Sequence, residues 1–123
     1  MKVLIVDDSA IARMSLKKLL NDYDFEYIEG VNGAEAVKLA EEHQLDLIFM
    51  DYLMPQLDGM IALKIIRGKG IKTPVIIISA NQQDATRQKF LELGIAGMIK
   101  KHPDKAALDS LIIELFPSIK KKS

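Results

Sequence analysis

The chain has 123 residues, of which 49% are hydrophobic, and its 17 basic and 17 acidic side chains give a formal net charge of zero. This length and composition suit one compact domain with a substantial core, and the charge balance offers no electrostatic case for nucleic-acid binding. The absence of cysteine excludes disulfides and thiolate metal sites, and no apolar run approaches the roughly 20 residues of a membrane span. We therefore expect a cytoplasmic monomer with no membrane or nucleic-acid partner.

Five strand-helix units follow one another along the chain. Short apolar runs predict strands near residues 2–6, 26–30, 46–50, 74–79 and 97–100. Amphipathic segments predict helices near residues 9–21, 33–43, 59–68, 84–93 and 104–115. This alternation indicates an α/β fold, a single doubly wound (βα)5 domain over residues 1–123 with a parallel five-stranded sheet flanked by helices. Because no linker or low-complexity stretch interrupts the pattern, we expect no attached output domain.

Local signals predict details at several element ends. Asn32 followed three residues later by Glu35 is typical of a capped helix start, and Asp104 suits the start of the last helix. Gly94 fits the position just past the fourth helix. The basic end, Lys120 to Lys122, is interpreted as a solvated tail. The first helix is expected to carry one apolar stripe: Ile11, Met14 or Ser15, Leu16, Leu19 and Leu20.

Acid, hydroxyl and lysine side chains lie where the predicted strands end. Asp7 and Asp8 follow the first strand, Asp51 follows the third, Ser79 ends the fourth, and two lysines end the fifth. Because the carboxyl ends of parallel strands meet at one edge of a sheet, these groups are expected to share one pocket. Three adjacent carboxylates either take up protons or hold a cation, and Mg²⁺ is a hard ion that suits them. With a hydroxyl and an ammonium added, the pocket suits a phosphoryl group, which an aspartate can itself accept.

In this order, the residues resemble the receiver domain of bacterial two-component response regulators, of the single-domain, CheY-like type. The segment from Asp51 to Gly59 reads DYLMPQLDG and is similar to the family pattern D-x-x-M-P-x-x-D-G. The resemblance extends from Val3 to about Phe116 and implies the flavodoxin/CheY-like fold. It also implies that Asp51 is the phosphoacceptor. The resemblance further implies that Mg²⁺ binds to Asp8, to Asp51 and to the backbone carbonyl of Leu53, and that Asp7 contacts the ion through a water molecule.

The resemblance further implies that Ser79 and Lys101 contact the phosphoryl oxygens and draw a surface toward the signalling state. The family lysine is usually followed by proline through a bond that is often cis, whereas Lys101 is followed by His102. We expect either a trans bond with a reshaped loop or a strained cis bond held by its surroundings. An alternative alignment gives the lysine role to Lys100, but the spacing from Ser79 and the side-chain alternation favour Lys101.

The position of the family's aromatic rotameric switch is occupied by Met98, a flexible side chain that we interpret as packing. Leu53 and Asn81 lie where the family tunes the lifetime of the phosphoryl group, and an apolar Leu53 is a hypothesis for a shield against water. A partner surface is expected on the fourth helix, fifth strand and fifth helix. Its candidate residues are Met98, Asn81, Arg87 and Lys100.

The implied function is that of a stand-alone phosphoacceptor response regulator, in a pathway such as chemotaxis. A sensor histidine kinase or phosphotransfer protein would donate the phosphoryl group, and phosphorylation would switch the binding of a downstream protein. Such a chain is not an enzyme in the ordinary sense, although it promotes its own phosphorylation and dephosphorylation. A shuttle in a multistep phosphorelay and a phosphorylation-independent scaffold remain alternatives. A dinucleotide or flavin protein is disfavoured because residues 7–10 form no glycine-rich or hydroxyl-rich phosphate loop.

Overall fold

A computed structural model of the chain describes residues 1–80 and 83–122. Five parallel strands form one sheet: β1 (Lys2–Val6), β2 (Glu26–Gly30), β3 (Leu47–Asp51), β4 (Val75–Ser79) and β5 (Gly97–Lys100). Their order across the sheet is β2-β1-β3-β4-β5. The expected flavodoxin/CheY-like (βα)5 fold is confirmed, and the third strand extends one residue further than expected, so that Asp51 is its last residue.

The described residues form five helices: α1 (Ala10–Leu19), α2 (Gly33–Glu42), α3 (Gly59–Gly68), α4 (Asp84–Glu92) and α5 (Lys105–Leu115). The first four connect successive strands, and α5 follows β5. Their bounds lie within two residues of the predicted ones. None of these helices, in the part of the chain that the structure describes, is long and apolar enough to cross a membrane.

The sheet is covered on both faces, which explains why its strands are nearly continuous apolar runs. Alternate strand residues such as Ile48 and Ile77 pack with buried residues of α2, α3 and α4. The residues between them, such as Phe49 and Ile76, pack with Leu16 and the buried residues of α5. The two cores are therefore separated by the sheet, with α1 and α5 on one face and the other three helices on the opposite face.

The apolar stripe expected on α1 is partly wrong. Leu16 and Leu20 are buried, but Ile11 is 77% exposed and Met14 is 55% exposed. At 3.6 residues per turn, Ile11 and Leu16 lie about 140° apart around the helix, so both cannot face the sheet. The helix therefore presents two apolar side chains to solvent near its N-terminal end.

The predicted helix ends are confirmed. The side chain of Asn32 accepts a hydrogen bond from the backbone N–H of Glu35 at 2.8 Å, and a Glu35 carboxylate oxygen accepts one from the backbone N–H of Val31 at 2.9 Å. Asp104 caps α5 by accepting a hydrogen bond from the backbone N–H of residue 107 at 3.3 Å. Gly94 follows α4 with φ of +75°, a conformation that favours glycine.

The interpretation of the basic end as a solvated tail is wrong for Lys121. This residue forms an antiparallel bridge with Tyr23, and its Nζ atom lies 3.5 Å from Asp109 Oδ2 and 3.9 Å from Asp22 Oδ2. Ile119 packs against the core on the α1 and α5 face, and this contact holds the end of the chain beside Tyr23 and α5. Tertiary contacts therefore hold a segment whose composition alone is typical of a free terminus.

Candidate functional site

Three aspartates meet at the point where the strand order reverses. The chain crosses from β1 to β2 on one side and to β3 on the other, which leaves a crevice beyond the carboxyl ends of β1 and β3. Val6 is in register with Met50, so the residues that follow them come together. One carboxylate oxygen from each of Asp7, Asp8 and Asp51 lies within 4.8 Å of the others. The acidic cluster expected from the strand ends is therefore present.

Lys101 adds an ammonium group to this cluster. Its Nζ atom lies 3.0 Å from Asp51 Oδ2 and 3.3 Å from Asp7 Oδ2. Its backbone N–H donates to the carbonyl oxygen of Ser79 at 3.0 Å, and the Ser79 side chain is buried at the end of β4. Lys100 is exposed, so the geometry favours the alignment that gives Lys101 the lysine position. The peptide bond between Lys101 and His102 is cis.

The two aspartates after β1 do not cap α1. The N-cap is Ser9, whose Oγ atom accepts from the backbone N–H of Ala12 at 3.1 Å. Asp7 Oδ1 accepts from the Ser9 backbone N–H at 2.9 Å, while Asp7 Oδ2 faces Lys101. Both oxygens of this buried carboxylate thus have protein donors, whereas Asp8 is exposed at the mouth of the cluster.

The pKa of Asp51 is raised because its carboxyl is buried; the hydrogen bond from Lys101 opposes this effect, and the negative charges of Asp7 and Asp8 add to it. Burial acts to lower the pKa of Lys101, but the hydrogen bond and charge of Asp51 and the charge of Asp7 outweigh burial and raise it. The raised pKa of Asp51 thus follows mainly from burial, and the raised pKa of Lys101 follows from its two carboxylate neighbours, Asp51 and Asp7. Among the described residues, the three carboxylates of the cluster have one ammonium beside them, that of Lys101. The cluster therefore has an excess of negative charge that a cation can balance.

Gly59 packs directly against the backbone of Asp51. Its N–H donates to the Tyr52 carbonyl oxygen at 2.7 Å, and a Cβ atom built on it would lie 2.6 Å from the Asp51 carbonyl oxygen. The preceding residue, Asp58, caps α3 by accepting from the backbone N–H of Ile61 at 2.9 Å. The sequence shows Gly59 as the last residue of the segment DYLMPQLDG, and the structure shows that its missing side chain lets α3 begin against β3.

Arg13 is a site neighbour that sequence reasoning missed. Its Nη1 atom donates to the Asp7 carbonyl oxygen at 2.6 Å, and its Nε atom donates to Glu29 Oε1 at 2.9 Å. The guanidinium thereby ties α1 and β2 to the backbone that carries the aspartate pair. Nothing in the spacing of charged residues along α1 distinguishes this arginine from a solvated one.

The residues expected on the partner surface have different environments. Arg87 and Lys100 are exposed, whereas Met98 is half-buried against the core that contains Phe90. This placement agrees with the interpretation of Met98 as packing. Asn81 lies outside the described residues. Leu53, the hypothetical shield, has a side chain that is 62% exposed.

Comparison of the chain with known protein families identifies the family to which it belongs. Residues 3–113 match the response regulator receiver domain. The chain therefore belongs to the response regulator receiver domain family, and it is a CheY-like receiver domain. Receiver domains are signalling domains that bind Mg²⁺ at an acidic pocket and interact with histidine kinases and downstream targets.

Similar proteins include both short and long chains. The chain is 39% identical over 101 residues to the chemotaxis protein CheY of Bacillus subtilis, a match that covers 81% of this chain and 84% of that protein. It is 38% identical over 112 residues to a protein-glutamate methylesterase/protein-glutamine glutaminase of Archaeoglobus fulgidus, covering 89% of this chain but only 32% of that protein. Its match to the transcriptional regulatory protein YdfI of Bacillus subtilis, 41% identical over 102 residues, covers 81% of this chain and 47% of that protein. The chain thus spans less than half the length of these last two relatives.

A solved structure has the same architecture. The CheX-CheY-BeF3-Mg²⁺ complex from Borrelia burgdorferi contains a chain with a TM-score of 0.88 and 29% sequence identity, covering 94% of this chain and 89% of that one. The likeness extends over nearly the whole chain and agrees with the sheet order and helix placement described above.

Proposed function

We propose that this receiver accepts a phosphoryl group from a histidine kinase on Asp51 and that this modification switches the binding of a partner protein. The observation that carries the proposal is the environment of Asp51. Its carboxylate is buried at the end of β3, 3.0 Å from the ammonium of Lys101 and grouped with two further aspartates. A phosphate acceptor needs a positioned nucleophile and charge neutralisation more than it needs acid-base groups. Asp51 is the proposed nucleophile, and Lys101 together with a bound cation would supply the neutralisation.

In the proposed transfer, a carboxylate oxygen of Asp51 attacks the phosphorus of the donor phosphohistidine. A P–O bond forms and the P–N bond breaks, and the electron pair of the broken bond stays on the imidazole, which takes a proton from water. In this proposal Lys101 holds one phosphoryl oxygen by an ion pair, which its 3.0 Å distance to Asp51 Oδ2 supports. Ser79, which is buried at the end of β4, donates a hydrogen bond to another.

The residues present fit a Mg²⁺ ion, because the three grouped side chains offer carboxylate oxygens as ligands and, in the part of the chain that the structure describes, Lys101 is the one ammonium paired with them, through Asp7 and Asp51. The proposed ligands are Asp8, Asp51 and the backbone carbonyl of Leu53. Asp7 would act through water, a role supported by the protein donors that already contact both of its oxygens. When bound, the ion neutralises negative charge on the phosphoryl oxygens.

The proposed partners are a sensor histidine kinase or phosphotransfer protein as donor and a downstream protein that docks on α4, β5 and α5. The exposed side chains of Arg87 and Lys100 support that face as the docking surface. Chemotaxis is the proposed pathway, because the match to the Bacillus subtilis protein named for chemotaxis covers most of both chains.

Intact-mass spectrometry after incubation with acetyl phosphate tests the acceptor assignment. We expect the wild type to gain one phosphoryl group in a Mg²⁺-dependent manner, with acetate as the leaving group. Asp51→Asn keeps the size of the side chain but removes the nucleophilic carboxylate, so it should gain none. Asp46→Asn is the matched control, because Asp46 lies beside the opposite end of β3 and its carboxylate, among the described residues, accepts one exposed hydrogen bond, from the backbone N–H of Lys2 at 2.7 Å.

Labelling that persists in Asp51→Asn would show that the acceptor is another residue. Loss of labelling in Asp46→Asn as well would show that the loss reflects a damaged fold and not a missing nucleophile. If no protein is labelled, tight binding of beryllofluoride with Mg²⁺ would show that the pocket is competent, and failure to bind it would contradict the proposed function.

A further inference from the structure

The residue that follows the candidate acceptor places an aromatic ring against α4. The ring centroids of Tyr52 and Phe90 are 5.0 Å apart, and their planes meet at 87°. This edge-to-face arrangement is one of the favoured geometries for an aromatic pair. Tyr52 is half-buried and Phe90 is fully buried. A residue bonded directly to Asp51 therefore contacts a helix on which the partner surface is proposed to lie.

The backbone of Tyr52 is held on both sides. Its N–H donates to the Ile78 carbonyl oxygen at 3.1 Å, and its carbonyl oxygen accepts from the Gly59 N–H at 2.7 Å. These bonds tie the residue to β4 and to the start of α3. Because protein interiors are close-packed and transmit strain, a displacement at Asp51 would be expected to move the Tyr52 ring.

A movement of the Tyr52 ring would act on α4 through Phe90, the residue by which this helix contacts the core. Among the nine residues of α4, all of which are described, only Phe90 is buried. Beyond its C-terminal end, Arg67 donates to the carbonyl oxygens of Leu93 and Gly94, each at 3.3 Å. The helix thus has one core anchor near a fixed end, so a shift of Phe90 would tilt the part of α4 that lies further from that end.

Met98 occupies the position where the family usually has an aromatic switch residue, so another aromatic pair, Tyr52 and Phe90, is a candidate for the coupling. Met98 packs against the same core as Phe90 and Tyr52 but has no ring of its own. Its flexible side chain can follow a movement of its neighbours without imposing one. We propose that Tyr52 is a positioning residue that couples the phosphorylation state of Asp51 to the position of α4 through Phe90. This inference rests on the proposed phosphorylation of Asp51.

Hydrogen exchange of residues 84–92, measured by mass spectrometry on the full chain with and without beryllofluoride and Mg²⁺, tests the coupling. Fluorine NMR on the same samples reports separately whether the phosphoryl analogue binds. In the wild type and in Tyr52→Phe, which keeps the ring, exchange should change by at least about threefold on binding. In Tyr52→Leu, which removes the ring, the analogue should still bind but the change should fall below about 1.5-fold.

Tyr27→Leu is the matched control. It removes a ring of the same kind from the opposite face of the sheet, where Tyr27 packs with the α1 and α5 core. Its α4 response should equal that of the wild type. The coupling is overturned if Tyr52→Leu keeps the full response, if Tyr27→Leu loses it equally, or if wild-type α4 does not respond although the analogue binds. Absence of analogue binding in the wild type would instead overturn the proposed function, and the coupling with it.

Discussion

At the scale of single residues, Gly59 leaves no space for a methyl group. A Cβ atom there would lie 2.6 Å from the Asp51 carbonyl oxygen and 3.1 Å from the Tyr52 Cα atom, and both are backbone atoms that cannot rotate away. We expect Gly59→Ala to lower the free energy of unfolding by about 1–3 kcal/mol, as overpacking does elsewhere. Urea unfolding measures this change, and labelling by acetyl phosphate should slow because the displaced backbone belongs to the proposed acceptor.

The control for Gly59→Ala is available in the same helix. Gly68 ends α3, and a Cβ atom built on it meets no atom within 4 Å. Because alanine restricts the unfolded chain more than glycine does, Gly68→Ala should raise the free energy of unfolding by up to about 1 kcal/mol. Equal stability of the two variants would show that the close approach at Gly59 does not constrain the fold.

At the scale of secondary-structure elements, Glu29 joins β2 to α1. Its carboxylate accepts hydrogen bonds from Lys17 at 3.0 Å and from Arg13 at 2.9 Å, and these contacts hold its pKa below the usual value. A lowered pKa in the folded state means that the ionised group stabilises the fold above the unfolded-state pKa, and that this contribution disappears as the pH falls through the folded-state pKa. Since Glu29 is exposed, Glu29→Gln should cost less than about 1 kcal/mol near neutral pH.

Urea unfolding of the wild type and Glu29→Gln should therefore differ near pH 7, and the difference should shrink progressively as the pH falls below about 4, the region where an unfolded glutamate titrates. Glu26→Gln removes a surface carboxylate from the same strand and serves as the control; its only ion pair, among the described residues, is with Lys2 at 3.7 Å. If the stability difference between the wild type and Glu29→Gln were the same near pH 7 and below about pH 4, the contribution of Glu29 would not come from its charge.

At the scale of the whole molecule, a buried tyrosine connects the turn after α1 with α5 and the end of the chain. The Tyr23 hydroxyl donates to Asp109 Oδ1 at 2.7 Å, and Asp109 Oδ2 lies within 3.6 Å of Lys105 and 3.5 Å of Lys121. Burial and the neighbouring Asp109 raise the pKa of Tyr23, so its hydroxyl remains a donor. Tyr23→Phe keeps the packed ring but removes this bond to a charged group, and it should lower the free energy of unfolding by about 1–2 kcal/mol.

Tyr27→Phe is the same chemical change with the opposite expectation. The Tyr27 hydroxyl is buried and has no hydrogen-bond partner among the described residues, and burial raises its pKa to about 12. Removing an unpaired buried hydroxyl should leave the stability unchanged or raise it. Thermal or urea unfolding of both variants separates the two cases, and equal losses would show that the bond to Asp109 contributes nothing specific.

The succession of strands and helices along the chain, and the residues at the strand ends, can be predicted from the amino-acid sequence. Buried parallel strands must be apolar on both faces, so their limits are visible as short runs, and Asp7, Asp51 and Ser79 stand out where those runs stop. The carboxyl ends of parallel strands share one edge of the sheet, so the acidic cluster is a consequence of this topology. Helix caps such as Asn32 were equally visible, because they involve neighbours a few residues apart.

Contacts between residues that are distant in the chain depend on how the folded elements pack together. The bond from Arg13 to the Asp7 carbonyl, the approach of Gly59 to Asp51 and the ring of Tyr52 on α4 each depend on how two elements pack. The bridge that holds Lys121 is of the same kind, and it overturned a prediction made from composition. Hydrophobic periodicity indicates which face of a helix or strand is buried. It does not indicate which side chain contacts which backbone atom across a packed interface, so these contacts could not be predicted from the sequence.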